Sequence, residues 1–239
     1  MADIDKARIE REVEERRVAC RVNEFATQEE FQKMTQDMYA DWIKNNGYEK
    51  DMLGLGFISH IVVADTASKF VPVKDSRLLD CASGTGLLGE QLKKRGYQHI
   101  DALDASQECL DFSRAKQAYS DYFCDFIGEN RLPFQDDTYD GICMSAAFGN
   151  THVRPDCFRE LLRITKPGGY IIFNVREENF VLDECIKNGK LDDVIHKLAA
   201  EGIVAYLEKK RCIYMECKHN DVVEYCFTFV LRKMKVSVK

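Results

Sequence analysis

No stretch of the 239 residues approaches about eighteen consecutive apolar side chains, so no segment is expected to cross a membrane as a helix. An apolar export signal is also missing, because the first twenty-five residues are crowded with Glu and Arg. The acids there argue equally against an organelle transit peptide, and the cytoplasm is the expected compartment. Positive charge is not in excess: 34 Lys and Arg stand against 40 Asp and Glu, a formal net charge of −6. A nonspecific grip on phosphate backbones needs a clustered cationic surplus, so no nucleic-acid partner is expected. The ten cysteines form no C-x-x-C, and Cys212 with Cys217 has no second pair at zinc-like spacing. No metal site is expected, and most of these thiols read as small apolar side chains. There is no internal repeat and no low-complexity segment. What remains is a length and a 45% hydrophobic content suited to a single α/β domain, expected to be a monomer.

Residues 1–26 read as a charged N-terminal helix with a narrow stripe of Val18, Val22 and Phe25. Thr27 with Glu30 fits a capping box. Phe31, Met34, Met38 and Trp42 follow at helical spacing, Gly47 closes that helix, and Met52–Gly56 is a break before a helix over 57–70. From Arg77 short apolar runs alternate with amphipathic segments. Strands are predicted at Leu78–Cys81, Ile100–Leu103, Tyr122–Cys124, Gly141–Ser145 and Tyr170–Val175. Helices are predicted at Leu87–Arg95, Gln107–Lys116, Asp156–Ile164 and Val181–Glu201. Alternating strand and helix signals imply a parallel sheet covered on both faces. Val204–Tyr214 and Val222–Leu231, joined by His219-Asn220-Asp221, add an antiparallel hairpin, giving seven strands in a Rossmann-like arrangement.

The informative segment is Leu78-Leu79-Asp80-Cys81-Ala82-Ser83-Gly84-Thr85-Gly86-Leu87-Leu88-Gly89. A strand runs into a turn of small residues with a helix directly behind it. Small side chains let a ligand approach the backbone, and the helix N-terminus offers free N–H groups. Asp104 ends the next strand, placed to accept both ribose hydroxyls of an adenosine. A charge-assisted bond of that kind contributes roughly 1.5–3 kcal/mol. The same letters satisfy G-x-G-x-x-G, so a nicotinamide-dependent oxidoreductase is a competing reading. Against it stands Asp80, whose carboxylate would face a pyrophosphate but would attract an ammonium group. The Lys166-Pro167-Gly168-Gly169 turn before an apolar strand and the closing hairpin also have no part in the dinucleotide pattern.

Leu78 through Gly86 resembles the first motif of class I methyltransferases, and Leu103-Asp104-Ala105-Ser106 resembles their second. Cys124-Asp125-Phe126, then Pro133-Phe134 with Asp137–Asp140, and the Lys-Pro-Gly-Gly turn resemble the elements around strands three, four and five. Tyr39-Ala40-Asp41-Trp42, Tyr48 and residues 149–177 are similar to the methyltransferase-like family of the Williams–Beuren chromosomal region. The resemblance spans about Gln36 to Lys233. Ala82 and Ser83 depart from the commonest glycine and cysteine, but both are small.

The resemblance implies a class I methyltransferase domain over 27–239, with 27–70 as a helical lid, binding S-adenosylmethionine and releasing S-adenosylhomocysteine. Asp80 would hold the methionine amino group, Ala82, Gly84 and Gly86 would admit the cofactor, and Asp104 with Ala105 would take the ribose. Asp125 and Phe126 would meet adenine, Ser145 the methionine end. Trp42 and Tyr48 would close the lid, although Trp42 equally completes an apolar helix face. Asp101, in the same strand as Asp104, is expected at an exposed edge. His152 is the one histidine placed as a general base, needed only if the acceptor loses a proton in the step. His60, His99, His196 and His219 carry no motif. Arg176 could meet an anion or form a surface ion pair. A small-molecule acceptor is expected; a binding module without catalysis remains the other alternative.

Overall fold

The computed structural model describes residues 28–44, 47–149, 152–217 and 222–235. The predicted N-terminal helix, the Thr27 cap, the Phe31 and Met34 side chains and the 219–221 connection lie outside the described residues. Three helices come first: α1 (Gln28–Lys44), α2 (Gly47–Gly54) and α3 (Ser59–Phe70). Then β1 (Arg77–Cys81), α4 (Leu87–Lys94), β2 (His99–Asp104), α5 (Gln107–Ser113) and β3 (Tyr122–Cys124) alternate. They are followed by β4 (Tyr139–Met144), α6 (Phe158–Ile164), β5 (Thr165–Arg176), α7 (Asn179–Leu182) and α8 (Lys190–Ala200). The long strands β6 (Val204–Cys217) and β7 (Val222–Lys233) close the described chain.

All seven strands join one sheet in the order β3-β2-β1-β4-β5-β7-β6. β1 to β5 are parallel, and β7 runs antiparallel between β5 and β6. This is the Rossmann-like arrangement that the sequence predicts. Successive strand residues serve opposite faces. Leu78, Ile100, Ala102, Ile172 and Val230 pack with Val63, Ala67, Leu92 and Leu110 on one side. Leu79, Leu103, Ile142, Ile171 and Phe229 pack with Leu161, Ile164, Leu191 and Ile195 on the other. A strand covered on both faces needs apolar residues at every position, which is why these runs do not alternate. Strand order reverses between β1 and β4, and the crevice at their carboxyl ends is where such sheets take ligands.

Four local expectations are corrected. Gly47 opens a second helix rather than ending the first, and the break shifts to 55–58. A Cβ at Gly47 would lie 2.8 Å from the Trp42 indole, so the tight α1–α2 corner demands glycine. The single helix expected over 181–201 is split into α7 and α8, because Asp183 turns extended after Leu182 and Asn188 and Gly189 take positive φ (57° and 81°) before α8. β5 starts at Thr165, so Lys166–Gly169 forms an irregular stretch of strand with a register shift against β4. Asp101 is buried, not at an exposed edge: it accepts from the Arg77 guanidinium (2.8 Å) and the Tyr139 hydroxyl (2.9 Å).

Candidate functional site

The turn after β1 is held by its neighbours. The Ser83 N–H donates to the Leu103 carbonyl at 3.0 Å, tying the turn to β2. The Gly84 N–H donates to one oxygen of Asp104 (2.7 Å) and the Ser106 N–H to the other (2.9 Å). Asp104 thus clamps the turn at the tip of β2, with lone pairs left over for a ligand. Ala82 adopts φ 58°, a region that costs a residue with Cβ roughly 1–2 kcal/mol. The three glycines do different work. A Cβ on Gly84 would point into open space, so a ligand can reach its backbone. Gly86 (φ 88°) caps α4 and faces inward, where an added Cβ would lie 2.9 Å from Ser113 Cβ. Gly89 lies against the Tyr119 ring, which a Cβ would meet at 2.2 Å.

Two adjoining cavities open at this crevice. The larger, about 890 Å³, takes Asp104, Ala105, Ser106 and Cys109 from β2 and α5, and Phe126 and Ile127 from the loop after β3. The loop after β4 adds Ser145, Ala146, Ala147 and His152, while Gln36, Tyr39 and Tyr48 face them from α1 and α2. Gln36 donates to the Ala105 carbonyl at 2.6 Å, fastening α1 over the tip of β2. The smaller cavity, about 360 Å³, is lined by Asp80, Ser83, Thr85 and Leu87 below and His60 and Phe57 above. Tyr48, Ala82, Gly84, Thr85 and Ser145 line both.

The small cavity is rich in unmet polar groups. Asp80 Oδ1, Ser83 Oγ, Thr85 Oγ1 and His60 Nδ1 are buried with no hydrogen-bond partner among the described residues. Such groups cost free energy unless something supplies partners. A zwitterionic amino-acid end, with both donors and acceptors, fits this set. Burial pushes the Asp80 carboxyl up to about 7, opposed by the hydroxyl of Tyr119, which donates to Oδ2 at 2.6 Å. Burial likewise raises Asp104, against the pull of the Ser106 and Gly84 amides. Desolvation lowers both His60 and His152 to about 4, so both imidazoles are neutral at pH 7.

Tyr39 links α1 to the loop after β4: its hydroxyl lies 3.1 Å from His152 Nε2, and the two rings meet edge to face. Tyr48 packs edge-on against Tyr39 and Trp42. Trp42 itself lines neither cavity; it is buried behind Tyr48, its indole N–H on Asp51 at 2.8 Å. Asp125 also stays out of both linings, its carboxylate turned to the Phe126 amide (2.8 Å) and the Asn130 side chain. Arg176 bridges Glu178 and Glu224 as an ion-pair residue. Asp80, Ala82, Gly84, Asp104, Ala105, Phe126, Ser145, Tyr48 and His152 are therefore brought together around the two cavities, and Gly86 supports them from behind.

Sequence reasoning missed three residues. His60 roofs the small cavity. Tyr119 holds Asp80. Asn174, fully buried in β5, accepts from the Ala146 N–H and donates to Ser59, which in turn meets Ser145 (3.0 Å). Of these, Asn174 left a signal: it is the single amide inside an otherwise apolar run.

Residues 79–173 match the family described as a methyltransferase domain. Human methyltransferase-like protein 27 is 26% identical over 163 residues, 66% of either chain. A demethylmenaquinone methyltransferase of Clavibacter sepedonicus is 35% identical over 109 residues, 45% of this chain and 44% of its own. The match thus spans less than two thirds of each relative. A crystal structure of an S-adenosylmethionine-dependent methyltransferase from Thermotoga maritima superposes with a TM-score of 0.58 at 17% identity, covering 83% of this chain and 99% of that one. Residues 79–173 are thus similar to a methyltransferase domain, and the fold is the one shared by solved S-adenosylmethionine-dependent methyltransferases.

Proposed function

We propose that the protein is an active S-adenosylmethionine-dependent methyltransferase that methylates a small-molecule acceptor. The observation that carries this reading is the pair of adjoining cavities. In one, the Asp104 carboxylate stands beside the open Gly84 backbone; in the other, Asp80, Ser83 and Thr85 keep buried, unmet polar atoms. In this reading Asp104 and Ala105 take the ribose and Phe126 packs on the adenine. Asp125 holds the loop that presents Phe126. The small cavity takes the amino-acid end, with Asp80 on the ammonium group. Helices α1 and α2 form the lid, Tyr48 closing over the junction of the cavities beside Ser145, with Trp42 as its backing.

The bound cofactor would supply a methyl group already activated by a sulfonium. The protein then has chiefly to align donor and acceptor, and positioning alone can contribute about 7–11 kcal/mol. His152, neutral and in reach of the large cavity, is the group to receive a proton if an O–H or N–H acceptor must lose one. A small acceptor matches a site roofed by its own helices, and the Clavibacter relative is named for a small molecule, demethylmenaquinone. With a net charge of −6, the reading has no nucleic-acid partner. It places a monomer in the cytoplasm, where nine free thiols among the described residues would persist.

The test is incubation with methyl-labelled S-adenosylmethionine and a metabolite extract, followed by identification of the labelled product. A labelled small molecule with matching S-adenosylhomocysteine is the expected result. Tight cofactor binding with no transfer would instead indicate a binding module, and preference for a nicotinamide dinucleotide would indicate an oxidoreductase.

A further inference from the structure

We propose that Tyr119 is a positioning residue for cofactor binding, holding one oxygen of Asp80 so that the other is presented, as a carboxylate, to the small cavity. The inference rests on the reading that this cavity takes the cofactor's ammonium group.

Three observations converge on the pair. Asp80 is 1% exposed at the end of β1, and the Tyr119 hydroxyl donates to its Oδ2 while Oδ1 has no partner among the described residues. Tyr119 reaches this spot from the stretch before β3, outside every motif, and its own ring is buried edge-on against Tyr122 (5.4 Å between centroids). Its seat is Gly89. An added Cβ there would lie 2.2–2.3 Å from the phenol end of the ring, so the third glycine of the G-x-G-x-x-G pattern makes room for this hydroxyl. That glycine therefore has a reason to exist without any pyrophosphate.

The chemistry follows from which protonation state each group favours. Burial pushes the Tyr119 phenol well above its usual range, so it is always the donor. A donor favours the ionised form of the carboxyl it binds. Burial and the nearby Asp104 charge push the Asp80 carboxyl up, while Tyr119 and the Gly89 amide hold it down, leaving it near 7. The other titratable groups around it, the Cys81 and Cys143 thiols, Tyr48 and the His60 imidazole, are uncharged at neutral pH. Asp80 thus sits at the edge of ionisation with Tyr119 tipping it. Without the phenol O–H, the carboxyl would keep its proton at neutral pH and offer an ammonium group no charge.

The test is calorimetric titration of the full chain with S-adenosylhomocysteine from pH 6 to pH 9, for wild type, Tyr119→Phe and Gly89→Ala, with circular dichroism to check folding. Wild-type affinity should fall below about pH 7, by roughly tenfold per unit once Asp80 is protonated. In Tyr119→Phe that acid limb should begin at higher pH. The loss relative to wild type should be largest at pH 6 and shrink as pH rises, because the ligand's own amine titrates equally with both proteins. Gly89→Ala, which unseats the ring, should do the same. An affinity ratio constant across pH, or an unchanged acid limb, would overturn the proposal by making Tyr119 mere filling. Failure of the wild type to bind at any pH would overturn the cofactor reading itself, and this inference with it.

Discussion

Asn174 on β5 and Ser59 at the head of α3 are joined across 115 positions of chain by a 2.7 Å hydrogen bond inside the core. The same amide accepts the Ala146 N–H at 2.9 Å, which holds Ala146 at φ 57° on the cavity wall. One side chain therefore fixes the helix above the small cavity and the turn beside the large one. Asn174→Ala would leave the Ala146 amide and the Ser59 hydroxyl short of partners in a dry environment. We expect a loss of about 2–4 kcal/mol in urea unfolding, with weaker S-adenosylhomocysteine binding. A stability loss under about 1 kcal/mol would show that water replaces the amide and that the network does not set the site.

Asp104→Asn tests the ribose assignment with little change of shape. The asparagine oxygen can still accept from the Gly84 or the Ser106 amide, now without charge. Affinity for S-adenosylmethionine and S-adenosylhomocysteine should drop at least about tenfold, the size of one charge-assisted bond, and the melting temperature should fall as well, because the new amide nitrogen cannot accept from the second N–H. An unchanged calorimetric affinity would remove Asp104 from the ligand site.

Gly84 and Gly86 should separate binding from folding. Both have positive φ, so alanine at either costs roughly 1–2 kcal/mol of backbone strain. At Gly84 the new methyl enters open space on the cavity side, so binding should suffer more than stability. At Gly86 it meets Ser113 Cβ at 2.9 Å and crowds Tyr119, so stability should fall further, by overpacking. Denaturation and binding measured on both variants would decide it; equal stability losses would contradict the assignment of roles.

The sheet and the crevice at its switch point were legible because strand-forming runs, the small-residue turn and Asp104 are local features with fixed spacing. Leu78 and Leu79 each need burial, on opposite faces, and that shows directly as a run of apolar letters. The helix breaks were less legible: Gly47 reads as a stop by composition, yet it starts a helix because the Trp42 ring leaves no room for a side chain. Asp101 illustrates the same limit. A charged residue in a strand suggests an edge, and only the arrival of Arg77 and Tyr139 from elsewhere in the chain makes its burial tolerable. Tyr119 and His60 carry no spacing relative to Asp80, since their meeting depends on the packing of separate elements around β1. A position in the chain can state its own preference, but not its partner's.

Buried His60 and half-buried His152 should govern stability in mild acid. His60 and His152 fold with pKa values near 4, below the ordinary 6.5. As pH falls below about 6.5 the unfolded chain takes up their protons first, so their contribution to stability, full above that pH, is lost toward 4. Asp80 acts in the opposite sense: its folded value near 7 lies above the ordinary 3.8, so the folded state holds an extra proton across this window and gains stability as pH falls. Two protons favouring the unfolded chain against one favouring the fold leave a net loss of at most about 1.4 kcal/mol per pH unit from these three groups. His60→Phe keeps the stack on Phe57, seen at 5.3 Å between ring centroids, and cannot ionise. Removing one of the two opposing protons should cancel that slope, so the variant's urea midpoint should vary less than the wild type's between pH 6.5 and pH 5. Equal pH dependence in the two proteins would mean that His60 is protonated in the fold, and that the roof of the small cavity carries a charge.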